Sequence, residues 1–265
     1  MINAQVIISC MNQTIDIVKE SNLSHDVLVI NQCNISTEHR REYPNNILFI
    51  DSPSHGLSRS RNLAIQNSNA EICIISDDDE IFIDNIQEQV SNAYLSHDTA
   101  DIIIFKIKGR TEKLRGKPHF LSMLELFHVC SVQITFRRQS ICRKKIFFDI
   151  NMGSGTGNGG GEEVDFLLRC YKAGLKIYYI PLEIAELKDS KSQWFSGYDE
   201  QFFYQRGTST RHMLGGPLSI LYAFYWLYSH RNLYRESISG RKALRAMIKG
   251  IYDDKIGRLE NKRKV

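Results

Sequence analysis

Glu71-Ile72-Cys73-Ile74-Ile75-Ser76-Asp77-Asp78-Asp79 is a short apolar run that ends in three consecutive carboxylates. Its length, its isoleucines and its abrupt change of polarity predict a buried strand over 71–75. Such a strand delivers negative charge to the carboxyl edge of a sheet, where open α/β sheets bind their ligands. Three adjacent like charges repel, so the cluster needs a cation or a set of donors to compensate it. A hard divalent ion, held by one or two carboxylates and completed by substrate phosphates, meets that need. Taken alone, the cluster also reads as an exposed acidic turn ahead of the next helix.

The flanking sequence repeats the strand pattern. Residues 5–9, 26–30 and 46–50 read as short buried strands, with a helical stretch over 14–21. A helix opened by Gly56 and Ser58 runs to 66, and Asp84 is the expected N-cap of a helix that carries Ile86, Val90 and Ala93 on one face. Further along, 101–108 reads as a strand, 121–129 as a helix, and 132–136 as another strand. Alternation on this scale argues for a mostly parallel sheet covered on both sides. Residues 153–161 contain six glycines in nine positions, so this loop can approach or close over a ligand. It opens into Glu162-Glu163-Val164-Asp165, the first turn of a helix ended by Gly174, and a strand resumes over 175–181. Carboxylates in a first turn are also ordinary partners of the helix dipole.

At 265 residues the chain can bury a full core. Its 42% hydrophobic and 24% charged residues are those of an ordinary globular protein. No apolar run is long enough for a membrane span, and no secretory leader is expected. Six scattered cysteines without a C-x-x-C pair indicate neither a zinc site nor a disulfide framework, and a reduced, cytoplasmic setting is expected. The net charge of +4 is uneven: residues 229–265 carry eleven Lys/Arg against four acids, a net of +7, which leaves −3 for the rest.

Two acidic groups, at 77–79 and 162–165, ask for a joint explanation. A divalent ion on Asp79 would neutralise a diphosphate, and a carboxylate elsewhere in the cleft would take a proton from an incoming hydroxyl. Those are the requirements for displacing a nucleoside diphosphate from a sugar. One base opposite the leaving group gives inversion, by analogy with inverting glycosidases.

The segments Gly56-Leu57-Ser58-Arg59-Ser60-Arg61-Asn62-Leu63-Ala64 and Ile74-Ile75-Ser76-Asp77-Asp78-Asp79 resemble the core signature of family 2 glycosyltransferases of the GT-A fold. So does Gly161-Glu162-Glu163, followed by Asp165-Phe166-Leu167-Leu168-Arg169, Gly174 and Tyr179-Ile180-Pro181. Order and spacing both match over about residues 3–185. The resemblance implies a GT-A-like (Rossmann-like), mostly parallel central sheet flanked by helices, and an enzyme that takes Mn²⁺ or Mg²⁺. It implies that Asp77 touches the ribose and Asp79 binds the metal. Arg61, Asn62, Asp77 and Asp78 would bind the nucleotide, and Glu163 would be the base. The family usually has Asp in the last position, so Asp165 and Glu162 stay as alternatives. After the second strand the family often reads Asp-Asp-Gly-Ser, where this chain has Ile30-Asn31-Gln32-Cys33-Asn34; the Gln32 amide can still hydrogen-bond a base edge.

In the tail, His212 is either a metal or phosphate ligand or a surface histidine. Residues 218–228 are apolar enough to be buried or interfacial. Beyond them Leu244, Met247, Ile248 and Ile251 share a helical face, with Arg241, Lys242, Arg245 and Lys249 on others. This helix suits an anionic membrane surface or packs on its own domain. The expected organisation is therefore a catalytic core over 1–185 and a helical, basic lid and acceptor extension over 186–265. The expected activity is inverting, metal-dependent sugar transfer to a saccharide or polyprenyl-diphosphate-linked acceptor, in bacterial surface-polysaccharide synthesis, in the cytoplasm or at the inner membrane face. The alternatives are a non-catalytic glycan- or membrane-binding subunit on the same fold and a sugar-phosphate nucleotidyltransferase. The latter lacks its expected Gly-rich basic loop at Ser9-Cys10-Met11-Asn12-Gln13. Nucleic acid is not an expected partner.

Overall fold

The computed structural model describes residues 2–109, 114–188, 197–257 and 259. They fall into two compact units. One comprises the described residues of 1–148 and 166–190, the other those of 149–165 and 191–265.

Up to the second acidic cluster the chain forms β1 (Ala4–Met11), α1 (Asp16–Glu20), β2 (Val27–Gln32), β3 (His39–Tyr43), β4 (Ile47–Ser52), α2 (Leu57–Asn67), β5 (Ile72–Ser76), β6 (Glu80–Phe82), α3 (Ile86–Ser96), β7 (Ile102–Lys108), β8 (His119–Phe120), β9 (Ile134–Arg137) and α4 (Arg138–Lys144). Then come α5 (Glu162–Lys172) and β10 (Ile177–Leu187). The strands make one sheet in the order β3-β4-β2-β1-β5-β9-β7-β10-β6, with β8 paired to β10. Strands β4, β2, β1 and β5 are parallel neighbours, so their carboxyl ends share one edge. Strand β9 enters antiparallel between β5 and β7, while β7 and β10 are again parallel. The outer strands β3 and β6 close the sheet in antiparallel pairs.

Continuous apolar runs produce this sheet because it is covered on both faces. Helix α2 packs on β1 and β2, burying Ala64 and Ile65. Ile86, Val90 and Tyr94 of α3 join Val6, Ile8, Val29, Ile74 and Phe105 in a core from which water is excluded. Some local expectations are corrected. Helix α3 begins after Asn85, which takes a left-handed conformation at φ 55°, so Asp84 is not its N-cap. The Asp84 carboxylate instead accepts a hydrogen bond from Asn22 Nδ2 at 3.0 Å. Residues 121–129 do not form an α-helix; Leu121 donates to the Ile177 carbonyl, and only a 3-10 turn, Glu125–His128, follows.

The second unit contains α6 (Glu200–Leu214), α7 (Gly216–Ser229), α8 (Arg231–Tyr234) and α9 (Gly240–Asp253). Phe203, Trp226, Tyr234, Ala243, Met247 and Ile251 form its core, with the Arg206 guanidinium 4.3 Å over the Trp226 ring. Helices α6 and α9 meet backbone to backbone. A Cβ on Gly207 would overlap the Met247 carbonyl, and one on Gly250 the Tyr204 carbonyl. The apolar side of α9 is thereby covered within its own unit, which leaves Arg241, Lys242, Arg245 and Lys249 exposed or half-exposed at its surface. Among the described residues no helix is long and apolar enough to cross a membrane.

Candidate active site

Asp77, Asp78 and Asp79 link β5 to β6 at the carboxyl edge of the parallel strands. Asp77 has an ion-pair partner. Arg61 of α2 is 1% exposed, and its Nη2 donates to both Asp77 oxygens at 2.8 and 3.1 Å. The guanidinium lies 5.5 Å over the Phe148 ring, and Ser131 Oγ donates to Asp77 at 3.3 Å. Asp78 receives a longer bond from Gln13 Nε2, at 3.4 Å. Asp79 is in a different position. Burial, then the charges of Asp77 and Asp78, push its carboxyl above the usual range, with Lys188 opposing. Next to it Glu80 is fully buried and accepts from the Asp77 N–H at 3.1 Å. Burial and the Asp77 charge hold it well above the ordinary glutamate value.

Two amides expected at the nucleotide hold backbone. Gln32 is buried; its Oε1 accepts from the Gly56 N–H at 2.7 Å and its Nε2 donates to the Cys10 carbonyl at 3.5 Å. Asn62 forms a two-way clamp on Phe148, donating to its carbonyl and accepting from its N–H, each at 2.8 Å. Sequence reasoning missed Asn31 and Asp51. The Asn31 amide donates to Asp51 at 2.7 Å and to the Gln13 carbonyl at 3.0 Å, and accepts from the Gln13 N–H at 2.9 Å. Arg41 pairs with Asp51 at 2.7 Å. The signal was present: Ile47-Leu48-Phe49-Ile50-Asp51 is an apolar run ending in an acid, as at Asp77.

Glu162, Glu163 and Asp165 form the first turn of α5 and belong to the second unit. Glu162 and Asp165 are buried, whereas Glu163 is half-exposed. His212 of α6 lies in the same unit, its Nε2 3.0 Å from Asp149 and 3.8 Å from Asp165. The glycine-rich loop closes on itself through the Gly153 N–H and the Gly159 carbonyl at 3.0 Å. With Asp199, Gln201, Phe202 and Gln205 it lines an open groove of about 260 Å³. The first unit thus holds Arg61, Asn62, Gln32 and the aspartates 77–79, and the second holds Glu163, Asp165 and His212. Among the described residues no three His, Cys, Asp or Glu side chains are grouped to hold a metal ion.

The sequence profile of glycosyl transferase family 2 matches residues 4–166, more than half of the chain. This chain belongs to glycosyl transferase family 2. The matched span runs from β1 into α5 and includes both acidic clusters. No curated protein sequence matches. Among solved structures, residues 1–349 of TarS from S. aureus are 13% identical, with a TM-score of 0.61 over 94% of this chain and 81% of that one. The same TarS segment in complex with UDP-GlcNAc is 14% identical, with a TM-score of 0.63 over 94% and 82%. The mannosyltransferase PcManGT from Pyrobaculum calidifontis, in complex with GDP-Man and Mn²⁺, is 12% identical, with a TM-score of 0.50 over 94% and 73%. Likeness at this level of identity shows the fold, which is the GT-A α/β architecture. As a family 2 member the chain is a glycosyltransferase.

Proposed function

We propose that this glycosyltransferase moves a sugar from a nucleoside diphosphate donor to a saccharide acceptor, with inversion and with help from a divalent ion. The observation that carries the reading is the imbalance at the acidic edge. Arg61 answers Asp77, while Asp79 sits half-buried, its carboxyl raised first by that burial and then by the charges of Asp77 and Asp78. An oxygen-only donor set of this kind fits Mn²⁺ or Mg²⁺. Asp79 would hold the ion, with Asp77 as a further candidate. When bound, the ion would offset the charge of the departing diphosphate. The complexes of TarS with UDP-GlcNAc and of PcManGT with GDP-Man and Mn²⁺ support a donor and a metal of these classes.

The chain's own residues have distinct tasks in this reading. Asp77, fixed by Arg61, would meet the ribose, and Asp78 the nucleotide beside it. Gln32 and Asn62 would shape the pocket through the Gly56 and Phe148 backbone that they hold. Glu163 would accept the proton of the acceptor hydroxyl as the new bond forms and the anomeric bond to the diphosphate breaks. It is favoured over Glu162 and Asp165 because it alone of the three is not buried. The glycine-rich loop runs directly into Glu163, and the groove it forms with Phe202 and Gln205 would take the acceptor. In this division the donor falls to elements of the first unit, and the acceptor to the loop over 153–161 with the extension over 186–265. A lipid-linked acceptor in surface-polysaccharide synthesis, reached from the cytoplasm at the inner membrane face, suits the cation-rich extension.

Titration calorimetry with UDP and GDP, with and without Mn²⁺, followed by donor hydrolysis and transfer assays, tests the reading. Metal-dependent nucleotide binding with turnover is expected. Binding that ignores the metal would remove the role given to Asp79. Metal-dependent binding without turnover on any acceptor would favour a non-catalytic subunit.

A further inference from the structure

We infer that the outward face of α7 is a docking surface for an anionic lipid bilayer. The inference rests on the membrane setting proposed above and names the surface that would meet it. Helix α7 contains no charged residue in its fourteen positions, Gly216–Ser229. Ser219, Ala223, Trp226 and Leu227 take one side into the core of the unit. The other side is as apolar and is left in solvent: Leu218, Leu221, Phe224, Tyr225 and Tyr228 are exposed, Leu221 by 65% and Tyr228 by 87%. Positions 218, 221, 225 and 228 fall along one helical stripe, with 224 beside it. A helix that is apolar all round is normally buried all round. Contiguous apolar surface of this extent marks an interaction site.

The charge of the segments that follow the stripe selects the occupant. Arg231 and Arg235 follow α7 directly and are exposed, and α9 adds exposed Arg241, Lys242, Arg245 and Lys249. Over the described residues 216–252 the exposed acid is Glu236, so six exposed cations stand against one exposed anion. An apolar face that mixes leucine with tyrosine and phenylalanine suits the boundary between headgroups and acyl chains. Basic residues beside it gain from anionic headgroups. A second copy is a poorer fit, because a two-fold contact through this face would set the same cations against themselves. The structure also moves the expected membrane contact from α9 to α7. Much of the apolar side of α9 is already covered by α6, and what it exposes is its cations and Tyr252.

Co-sedimentation of the full chain with unilamellar vesicles tests the assignment. Vesicles of equal parts phosphatidylglycerol and phosphatidylcholine should bind the chain, and phosphatidylcholine alone should bind it much less. Combining Leu221→Ser, Phe224→Ser and Tyr228→Ser should lower binding by about tenfold or more, with an unchanged urea midpoint as the folding control. Arg231→Gln with Arg235→Gln should weaken binding and its salt sensitivity together. In a gain-of-signal version, Tyr228→Trp should add a blue-shifted emission component on anionic vesicles that the parent chain lacks. Equal binding to both vesicle types, an unaffected triple variant, or an unshifted Tyr228→Trp would overturn the assignment. So would a dimer that the triple variant dissolves while no vesicle binds, since the face would then take a second copy. The assay contains no donor, metal or acceptor. A failure here leaves the proposed sugar transfer standing, and a failure of sugar transfer leaves a positive vesicle result standing.

Discussion

Arg61 Nη2 donates to both carboxylate oxygens of Asp77, and the arginine is buried while the aspartate keeps 26% of its side chain in solvent. A buried guanidinium without its carboxylate, or the reverse, leaves a charge without its counter-charge. Arg61→Ala should therefore destabilise the chain by about 3 kcal/mol. Arg61→Lys should recover little of it, because a strongly hydrated ammonium is costlier to bury and lacks the planar face that lies over the Phe148 ring. Urea denaturation of the three proteins measures this. An Arg61→Lys midpoint equal to the parent's would mean that charge alone, and not the planar guanidinium, holds Asp77.

Glu163 and Asp165 are two residues apart on α5 and differ in burial, and this separates their predicted variants. Glu163→Gln should cut the rate of transfer by about a hundredfold or more while the affinity for donor stays nearly constant. Asp165→Asn should act first on stability, because its carboxylate is buried 3.8 Å from His212. Measuring kcat, donor affinity and melting temperature on both variants sorts the roles. If Asp165→Asn loses turnover with its melting temperature intact and Glu163→Gln does not, the base is Asp165.

Gly207 and Gly250 let α6 and α9 touch along their backbones, and neither position has room for a methyl group. Alanine favours helices intrinsically, by about 1 kcal/mol over glycine. Here the added Cβ would meet a backbone carbonyl that cannot rotate away. Each Gly→Ala variant should thus be destabilised, by about 1–3 kcal/mol, against the sign that propensity gives. Thermal denaturation followed by tryptophan fluorescence reads the change, since Trp226 belongs to the core that the two helices close.

The parallel strands β1, β2, β4 and β5 were legible because each is a contiguous apolar run, and such runs follow from burial on both faces. Strand β3 was not. His39-Arg40-Arg41-Glu42-Tyr43 is an exposed edge with no apolar alternation, held by its pairing with β4. Asp77 stands out because three acids follow one strand; Asp51 repeats the pattern with a single acid, which a sequence offers far more often. Spacing correctly joined Asn62 to α2, but its clamp on Phe148 crosses 86 residues, and no local pattern encodes such a partner. The same limit applies to α7. An apolar helix reads alike whether one side or both are buried, so its exposed stripe appears only once α6 and α9 are in place.

Glu125 offers a pH test that does not involve the proposed chemistry. Its carboxylate accepts from Ser122 Oγ at 2.7 Å and from the Ser122 N–H at 2.9 Å, with His119 Nε2 at 3.0 Å. The Ser122 hydroxyl is the largest of the influences that lower its pKa to about 2, from the 4.5 of an ordinary glutamate. A carboxyl with a lowered pKa in the folded state stabilises that state above the unfolded value and loses the contribution as pH falls through the folded one. The stabilisation should therefore be complete at neutral pH, decline from about pH 4.5, and be gone near pH 2. Glu125→Gln should cost about 1–2 kcal/mol at neutral pH, the scale of hydrogen bonds to a charged group. Its difference from the parent should shrink over that acid window. Urea midpoints taken across the range decide the matter: a gap that stays constant with pH would mean that the geometry of the 3-10 turn, and not the charge of Glu125, is what the substitution removes.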